Sequence, residues 1–289
     1  MRGVKKKIYR YDNGLPFNTL LAKNLDSLKE RIRIGKASMV IVDGGLGEGK
    51  TTMAVHVADY FQGKPIDVKE QYGMGGLSFQ EKLEICYIKK HPVVIYDEAG
   101  DFNKRGALTY FNKQLSRIFE TYRAFKILVV LVIPNMGLLD STLFYNKIPQ
   151  LLINCYNRLE NYGNYRAYSL YRMYYIMEYM SRAVVKQKAY GKVRSNFKGQ
   201  FLDLTPKRSK LLENLSKEGK KEIVTKATLS AQGFVNIKYI ATKLNRGIEW
   251  VRLKINERGI QPVKKVKKAF YYDKEVLQIL SEDLLGKGN

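Results

Sequence analysis

Cysteine and histidine are scarce in this chain. Its 289 residues include two cysteines, Cys86 and Cys155, and two histidines. Two cysteines do not build a disulfide scaffold, and both lie among apolar residues, where a free thiol serves as a small core side chain in a reducing compartment. Because Cys and His residues are not clustered, the sequence also excludes a zinc site made by protein ligands alone.

Long apolar segments are absent as well. The longest uncharged apolar run, residues 127–133, is far shorter than the roughly 20 residues that span a bilayer. The first seven residues carry four basic side chains and no apolar segment follows them, so we expect no signal peptide and no membrane. The ordinary share of apolar residues, 45%, predicts a soluble cytoplasmic protein with one large and one small domain, or two domains.

Acidic residues are few relative to basic ones. Lysine and arginine number 51 against 27 aspartates and glutamates, a formal charge of +24. After residue 150 the ratio is 28 to 12. A basic C-terminal half is typical of a protein with a polyanionic partner. The alternative is a solvated, lysine-rich surface of the kind found in thermophiles.

Hydrophobic periodicity predicts strands and helices in alternation. Helices are expected over residues 18–34, 51–61, 78–89 and 106–125, the third opened by a capping box of Ser78 and Glu81. A short apolar strand is expected over 37–42, a buried strand over 93–96 and a fully apolar strand over 127–133. Strands buried on both faces and separated by helices predict an α/β fold with a mostly parallel sheet.

The later part of the chain is less regular. The tyrosine-rich residues 162–179 fit a strand and a helix nearly equally well, and both alternatives stay open. Thr205 and Pro206 are typical of a helix start. We therefore predict four parts: an N-terminal segment and helix (1–34), a core (35–215), a polar linker (216–228) and a C-terminal domain (229–289).

A glycine-rich loop follows the first strand directly. It matches G-x-x-x-x-G-K-[ST] between a strand and a helix, where backbone N–H groups and the helix N-terminus surround phosphates. Lys50 would reach the β- and γ-phosphates, and the hydroxyl of Thr51 would bind magnesium. The alternative is a flexible glycine turn. The expected nucleotide contacts are Gly44, Gly45, Leu46, Gly47, Glu48, Gly49, Lys50, Thr51 and Thr52.

An acidic pair ends the strand at residues 93–96. Asp97 would hold the magnesium ion, and Glu98 would polarise the attacking water. A glutamate in this position favours turnover of ATP, and no N-K-x-D motif for guanine is present. The alternative is an acidic pair that caps the end of a strand.

Three further residues are weaker candidates for catalysis. Asn135 follows the strand at 127–133, where many such ATPases keep a sensor of the γ-phosphate, and a turn asparagine after Pro134 is nearly as plausible. Arg117 and Arg123 stand where ring-forming ATPases carry an arginine finger, although either could be a solvated surface residue. No arginine of the same subunit is apparent beside the loop. Structural or solvent-facing roles are expected for Glu48, His56 and His91.

These motifs resemble a known family. Residues 42–52, 93–105 and 119–125, with 196–204, are similar to additional-strand (ASCE) P-loop ATPases of archaeal viruses and mobile elements. Such ATPases are often labelled zonula-occludens-toxin-like, and they are related to the HerA/FtsK and RecA-like groups of ATPases. The resemblance covers residues 35–215. It implies ATP and Mg²⁺ as ligands, a ring or filament of identical subunits, and an extra strand between the phosphate-loop and Asp97 strands. No transmembrane segment follows the core, unlike in membrane-bound members.

The C-terminal domain resembles a winged helix-turn-helix. Residues 237–256 would form the two helices, with Ala241 at their crossing, Asn245 in a left-handed turn, and Val251 and Ile255 buried. Residues 260–263 and 269–272 would form a wing with a lysine-rich tip. The alternative is a helical dimerisation or lid domain. The expected DNA contacts are Lys243, Arg246, Arg252, Lys254, Lys264, Lys265, Lys267 and Lys268.

Together these features predict a DNA-associated ATPase. It would use ATP to translocate, package or segregate double-stranded DNA of a mobile element. One alternative is an ATP-controlled assembly factor, such as a replication initiator or a transposition regulator. Another is a transcription regulator whose DNA binding is gated by nucleotide.

Overall fold

The computed structural model describes residues 17–97, 126–182, 189–266 and 269–285. The helix predicted over residues 106–125 lies outside these ranges. The chain divides into a larger unit, Met1–Ser216, and a smaller unit, Lys217–Asn289. In the described ranges, no helix combines the length and the hydropathy that crossing a membrane requires.

A seven-stranded sheet forms the centre of the larger unit. Its strands are β1 (Met39–Gly44), β2 (Tyr72–Met74), β3 (Val93–Asp97), β4 (Leu128–Val132), β5 (Pro149–Tyr156), β6 (Tyr162–Ser169) and β7 (Phe197–Leu202). They lie in the order β2-β3-β4-β1-β5-β6-β7. Neighbouring strands from β2 to β5 are parallel, whereas β5–β6 and β6–β7 are antiparallel. The expectation of an α/β fold with a mostly parallel sheet is confirmed.

Strand β4 lies between β1 and β3. Val130 of β4 pairs with Val40 of β1 on one side and with Ile95 of β3 on the other. All three strands are buried along their whole length, which explains why their sequences are apolar apart from Asp43 and Asp97 near the ends of β1 and β3. The extra strand implied by the family resemblance is therefore present, and the three predicted strands lie within two residues of their expected bounds.

Helices cover both faces of the sheet. Because successive strand residues point to opposite faces, Val40 and Val42 of β1 join one buried cluster, and Met39 and Ile41 join the other. The first cluster includes residues of α1 (Thr19–Arg33), α2 (Lys50–Gln62), α3 (Val68–Gln71) and the start of α8 (Pro206–Ala231). The second includes residues of α4 (Gly76–Ile88), α5 (Ser141–Tyr145), α6 (Leu170–Arg182) and α7 (Ala189–Lys192).

Local signals set the helix starts in two different ways. Helix α1 begins as predicted, because the side chain of Asn18 accepts hydrogen bonds from the backbone N–H groups of its first turn. Helix α4 begins at Gly76, so the capping box predicted at Ser78 is wrong. Gly75 takes φ +75°, a conformation that glycine adopts without strain, and its carbonyl accepts from Phe79 N at 3.0 Å.

The tyrosine-rich segment forms first a strand and then a helix, the two alternatives that its sequence leaves open. Strand β6 buries Tyr165 and Ala167, which are two residues apart. Helix α6 follows without a gap and buries Met173 and Ile176, which are three apart. The change of period from two to three or four marks the point where the strand ends and the helix begins.

Helix α8 begins at Pro206, as Thr205 and Pro206 predict, and continues to Ala231. The linker predicted over residues 216–228 is therefore helical. Lysine, glutamate and alanine have high helix propensity, so the polar composition of this stretch is compatible with a helix.

The described part of the smaller unit combines the end of α8 and three further helices with a small antiparallel sheet. Val251 and Ile255 are buried in its core with Ala241, as predicted. Asn245 takes φ +50°, which confirms the expected left-handed turn. The elements are β8 (Phe234–Asn236), α9 (Ile237–Lys243), α10 (Ile248–Glu257), β9 (Lys264–Val266), β10 (Ala269–Asp273) and α11 (Val276–Leu285), with the strands in the order β8-β10-β9.

The β9–β10 pair corrects one detail of the prediction. Lys264 and Lys265 were expected at the tip of the wing, but both belong to strand β9, where Lys265 pairs with Phe270. The ladder extends back to Val263, whose N–H donates to Tyr271 O at 2.8 Å. Lysine side chains are compatible with an exposed edge strand, so the charge run did not mark the turn.

Candidate functional site

The glycine-rich loop connects the end of β1 to the start of α2. Gly44, Gly47 and Gly49 have φ values of +145°, +78° and +77°, a region that other residues rarely adopt. A Cβ atom on Gly44 would lie 2.4 Å from the carbonyl oxygen of Cys155. These glycines are therefore required by backbone geometry, and the loop leads directly into the N-terminus of a 13-residue helix.

Lys50 is the first residue of α2. Its Nζ donates a hydrogen bond to the carbonyl oxygen of Gly45 at 2.6 Å, so the side chain lies back across the loop. Burial lowers the pKa of Lys50, and nearby acidic groups, Asp97 foremost, oppose that shift. A cation that is partly removed from water interacts strongly with an anion placed in the loop.

The hydroxyl of Thr51 and the carboxylate of Asp97 are in direct contact. Thr51 Oγ1 donates to Asp97 Oδ2 at 2.8 Å, although the residues are 46 positions apart. The hydroxyl of Tyr72 donates to the same oxygen at 2.9 Å. The loop and the end of β3 thus meet at one point, on opposite sides of the end of β4.

This pair fits a magnesium ion. Mg²⁺ prefers oxygen ligands and is commonly held by one or two protein groups together with water and phosphate oxygens. Thr51 and Asp97 provide one hydroxyl and one carboxylate. The described ranges contain no group of three or more His, Cys, Asp or Glu residues that could hold a metal by themselves. The donor set suits an ion that is bound together with a phosphate ligand.

Asp43, the residue just before the loop, is fully buried and was not identified from the sequence. Its carboxylate accepts hydrogen bonds from Met136 N at 3.0 Å, from Asn154 Nδ2 at 2.9 Å and from the hydroxyl of Tyr190. Burial raises the pKa of the Asp43 carboxyl to about 6, although these hydrogen bonds act in the opposite direction. The network ties the end of β1 to β5, α7 and the segment after β4.

Asn135 lies in that segment after β4. Its Oδ1 accepts from Gly137 N at 2.7 Å and so caps a short 3₁₀ turn, Met136–Leu138. The segment is next to the loop, since Gly44 N donates to Pro134 O at 3.4 Å. The observed hydrogen bond is the one expected of a turn asparagine, and the sensor role stays a prediction.

Arg158 lies beside the loop and was also missed. Its backbone N–H donates to Glu48 Oε2 at 2.9 Å, and its guanidinium forms an ion pair with Asp203. Its Nη1 would be 2.5 Å from a Cβ atom on Gly49. The expectation that no arginine of the same chain lies beside the loop is therefore wrong. The 110-residue separation between Glu48 and Arg158 leaves no local pattern to detect.

The remaining predicted residues differ in their positions. Leu46 is 96% exposed at the tip of the loop, and Thr52 is half-buried in α2. His56 is buried, with Nε2 2.8 Å from Leu202 O, and His91 Nε2 is 2.9 Å from Glu70 Oε2, so both have structural contacts. The predicted residues Glu98, Arg117, Arg123, Lys267 and Lys268 lie outside the described ranges.

Basic residues of the smaller unit lie near the turn between α9 and α10. Lys243 and Arg246 are exposed, and each cation lies over an aromatic ring, of Tyr239 and Trp250 respectively. The other described candidates are Arg252, which pairs with Glu249 at 2.6 Å, Lys254, which pairs with Glu257, and the exposed Lys264 and Lys265 of β9.

The larger unit has the fold of a P-loop protein, by its sheet order, its loop and the Thr51–Asp97 contact. No family model and no curated protein matches the chain. Among solved structures, it is similar to the N-terminal domain of zonular occludens toxin from Neisseria meningitidis, at 14% identity over 59% of this chain and 96% of that one, with a TM-score of 0.34. It is also similar to a DNA replication initiation factor, at 13% identity over 78% of this chain and 70% of that one, with a TM-score of 0.28.

Proposed function

We propose that this chain is a cytoplasmic, magnesium-dependent ATPase that acts on double-stranded DNA. The observation that carries the proposal is the 2.8 Å contact between Thr51 and Asp97. A hydroxyl from a phosphate loop and a carboxylate from the end of a nearby strand are the two protein groups that hold the magnesium ion of a bound nucleoside triphosphate. Their contact at the N-terminus of α2 supports nucleotide binding there.

Each residue of the loop has a defined part in this proposal. The backbone N–H groups of residues 45–51 bind the β- and γ-phosphates, aided by the partial positive charge of the α2 N-terminus. Lys50 exchanges its hydrogen bond to Gly45 for a phosphate oxygen. Thr51 and Asp97 hold Mg²⁺, which neutralises charge on the phosphates when it is bound. Tyr72 fixes the orientation of the Asp97 carboxylate.

Hydrolysis requires a group that orients water, and the sequence provides Glu98 next to Asp97. A carboxylate in that position accepts a proton from the attacking water or orients it. Because a guanine-reading N-K-x-D motif is absent from the sequence, we assign ATP as the nucleotide.

The smaller unit is proposed to be a winged helix-turn-helix that binds DNA. Helices α9 and α10 flank a turn with Asn245 in the left-handed region, and the β9–β10 pair corresponds to the wing. Residues 217–289 contain 16 lysines and arginines against eight acidic residues. Exposed cations at the turn, Lys243 and Arg246, would contact phosphates or bases. The dimerisation or lid alternative predicts no affinity for DNA.

Three biological roles are compatible with such a protein. We favour a DNA motor of a mobile element, built from identical subunits in a ring or filament, which translocates, packages or segregates DNA. An assembly factor, such as a replication initiator or transposition regulator, would instead use hydrolysis to reset a DNA-bound oligomer. A transcription regulator would bind nucleotide with almost no turnover.

Phosphate release from ATP, measured with and without Mg²⁺ and duplex DNA, tests the proposal. A motor should hydrolyse many ATP molecules per subunit, faster with DNA. Glu98→Gln should keep ATP bound without hydrolysing it, because an amide does not accept the proton of water while Asp97 still holds magnesium. Normal turnover by Glu98→Gln would refute the role given to Glu98, and failure of the wild-type chain to bind ATP would refute the proposal as a whole. Mass photometry with and without ATP and DNA distinguishes the oligomeric alternatives.

A further inference from the structure

The turn between β5 and β6 packs against the phosphate loop. Asn157 opens this turn with φ +47°, and the N–H of Leu159 closes it on Tyr162 O at 2.8 Å. The N–H of Arg158 donates to Glu48 Oε2 at 2.9 Å. Because Glu48 belongs to the loop itself, this hydrogen bond fixes the backbone of Arg158 relative to the residues that would surround phosphate.

The guanidinium of Arg158 lies against the last glycine of the loop. Its Nη1 would be 2.5 Å from a Cβ atom at position 49, so the arginine occupies the space that any larger residue would need. Gly49 directly precedes Lys50 at the start of α2. Both cations, Lys50 and Arg158, also lower the otherwise raised pKa of the buried Cys155 thiol, which indicates that both are near the end of β5.

The guanidinium of Arg158 also has an acidic partner, Asp203. The carboxylate of Asp203 pairs with Nη2 of Arg158, and both side chains are about one-third exposed. Arginine has five N–H donors, so its guanidinium has the capacity to bind Asp203 through one edge and a phosphate through another. A planar guanidinium suits phosphate oxygens well.

We infer that Arg158 is a second cationic contact for the phosphates of the bound nucleotide, supplied by the same chain that supplies Lys50. This inference rests on the proposed function, because it needs a nucleotide in the loop. It is separate from the arginine expected from a neighbouring subunit. Arg158 would contribute to nucleotide affinity in a monomer, whereas an arginine finger needs an interface.

The test is a titration of the full chain with mant-ADP, a fluorescent nucleotide, in the presence of Mg²⁺. Arg158→Ala should weaken binding about tenfold to a hundredfold, the usual range for losing a charge-assisted hydrogen bond. Arg158→Lys keeps the charge and should recover part of the affinity. Arg182→Ala is the matched control, because Arg182 is exposed on α6 and pairs with Glu178. This control should bind mant-ADP as the wild type does.

Asp203→Asn separates a contact with nucleotide from a structural ion pair. If Arg158 acts on phosphate, Asp203→Asn should retain affinity within about threefold, since the arginine itself is kept. If the ion pair serves only to hold the turn, Asp203→Asn should lose as much affinity as Arg158→Ala, and the inference is wrong. Equal binding by Arg158→Ala and wild type would also overturn it.

Two further controls keep the outcomes distinct. Circular dichroism melting of each variant reports folding, and Arg158→Gln replaces Arg158→Ala if the alanine variant does not fold. Lys50→Ala measures how much the phosphate loop contributes to mant-ADP binding, independently of Arg158. Loss of binding in Lys50→Ala with unchanged binding in Arg158→Ala would refute this inference alone. No binding by the wild-type chain would refute the proposed function.

Discussion

The hydroxyl of Tyr190 donates a hydrogen bond to the carboxylate of Asp43, 147 residues earlier in the chain. Asp43 is the last residue before the glycine-rich loop, and Tyr190 belongs to a one-turn helix that packs in the second buried cluster. The same carboxylate holds the segment after β4 through Met136 N. One buried acid therefore fixes three elements around the start of the loop.

The buried carboxylate makes stability depend on pH. Burial raises the pKa of Asp43 from 3.8 to about 6, so the folded protein binds this proton more tightly than the unfolded chain does. The resulting stabilisation is complete below pH 3.8 and is lost as pH rises through about 6. A difference of about two pKa units corresponds to a change of about 3 kcal/mol in the free energy of unfolding.

Asp43→Asn should remove this pH dependence. Urea unfolding between pH 4 and pH 7.5 should show the wild type losing stability relative to Asp43→Asn as the pH rises, because the asparagine side chain does not titrate. Asp140→Asn serves as control, since Asp140 is an exposed helix cap whose pKa is lowered by its hydrogen bonds to Thr142. A constant difference between wild type and Asp43→Asn over this range would contradict the assigned titration.

Lys50→Ala should abolish ATP hydrolysis and weaken ATP binding. The side chain lies across the loop on Gly45 O, and its removal leaves the phosphates without the ammonium group that reaches them. Lys64→Ala is a matched control, because Lys64 is exposed shortly after the end of α2. Phosphate release and mant-ATP titration check both variants. Unimpaired hydrolysis by Lys50→Ala would show that the loop does not bind the reacting phosphates.

The sequence predicts the loop and the three strands β1, β3 and β4 well because their signals are local, whereas β2, β5 and β7 were not predicted. The loop is recognised from eight consecutive residues, 44–51, whose glycines determine its backbone conformation. The apolar runs of β1, β3 and β4 indicate that these strands are buried on both faces. The tyrosine-rich segment could not be assigned to one kind of element, because its hydrophobic period changes from that of a strand to that of a helix at Leu170. The helical structure of residues 216–228 was not predicted, because lysine and glutamate are common to linkers and to helices.

The contacts around the loop were not predictable in the same way. Arg158 reaches Glu48 across 110 residues, and Tyr190 reaches Asp43 across 147. Neither partner has a spacing or a flanking motif that distinguishes it from other arginines or tyrosines in the chain. The sheet order, which brings β5 beside β1, places Arg158 next to the loop, and the packing of α7 in the second buried cluster places Tyr190 there. Sequence motifs therefore identify the loop, and topology supplies its surroundings.

Arg246→Ala should weaken the binding of duplex DNA to the smaller unit's surface. Arg246 is exposed at the turn before α10, with its guanidinium 5.8 Å from the ring centroid of Trp250. If it contacts a phosphate, the slope of log affinity against log salt should fall by about one. Trp250 is the single tryptophan, so its fluorescence reports binding directly. The control, Lys274→Ala, removes an exposed cation outside the predicted contact set. An unchanged slope in Arg246→Ala would argue against phosphate contact at the turn.

We expect catalysis to be shared between subunits. Lys50, magnesium and Arg158 would neutralise much of the charge on the phosphates, yet an arginine that stabilises the transferring phosphoryl group typically accelerates turnover by about 10³–10⁵-fold. We expect Arg123, and Arg117 as second choice, to supply that group from a neighbouring subunit. Arg123→Ala should therefore cut hydrolysis strongly while mant-ATP affinity is retained, the opposite of the binding defect expected for Arg158→Ala.

Mixing two inactive variants tests this sharing directly. Arg123→Ala lacks the arginine but keeps Glu98, and Glu98→Gln lacks the glutamate but keeps the arginine. In a mixed oligomer, some interfaces join an intact arginine to an intact glutamate, so the mixture should recover part of the activity. Specific activity of the wild type should also fall on dilution, because dissociation separates each site from its arginine. A mixture no more active than either variant, together with specific activity that is constant down to nanomolar protein, would show that each subunit hydrolyses ATP alone.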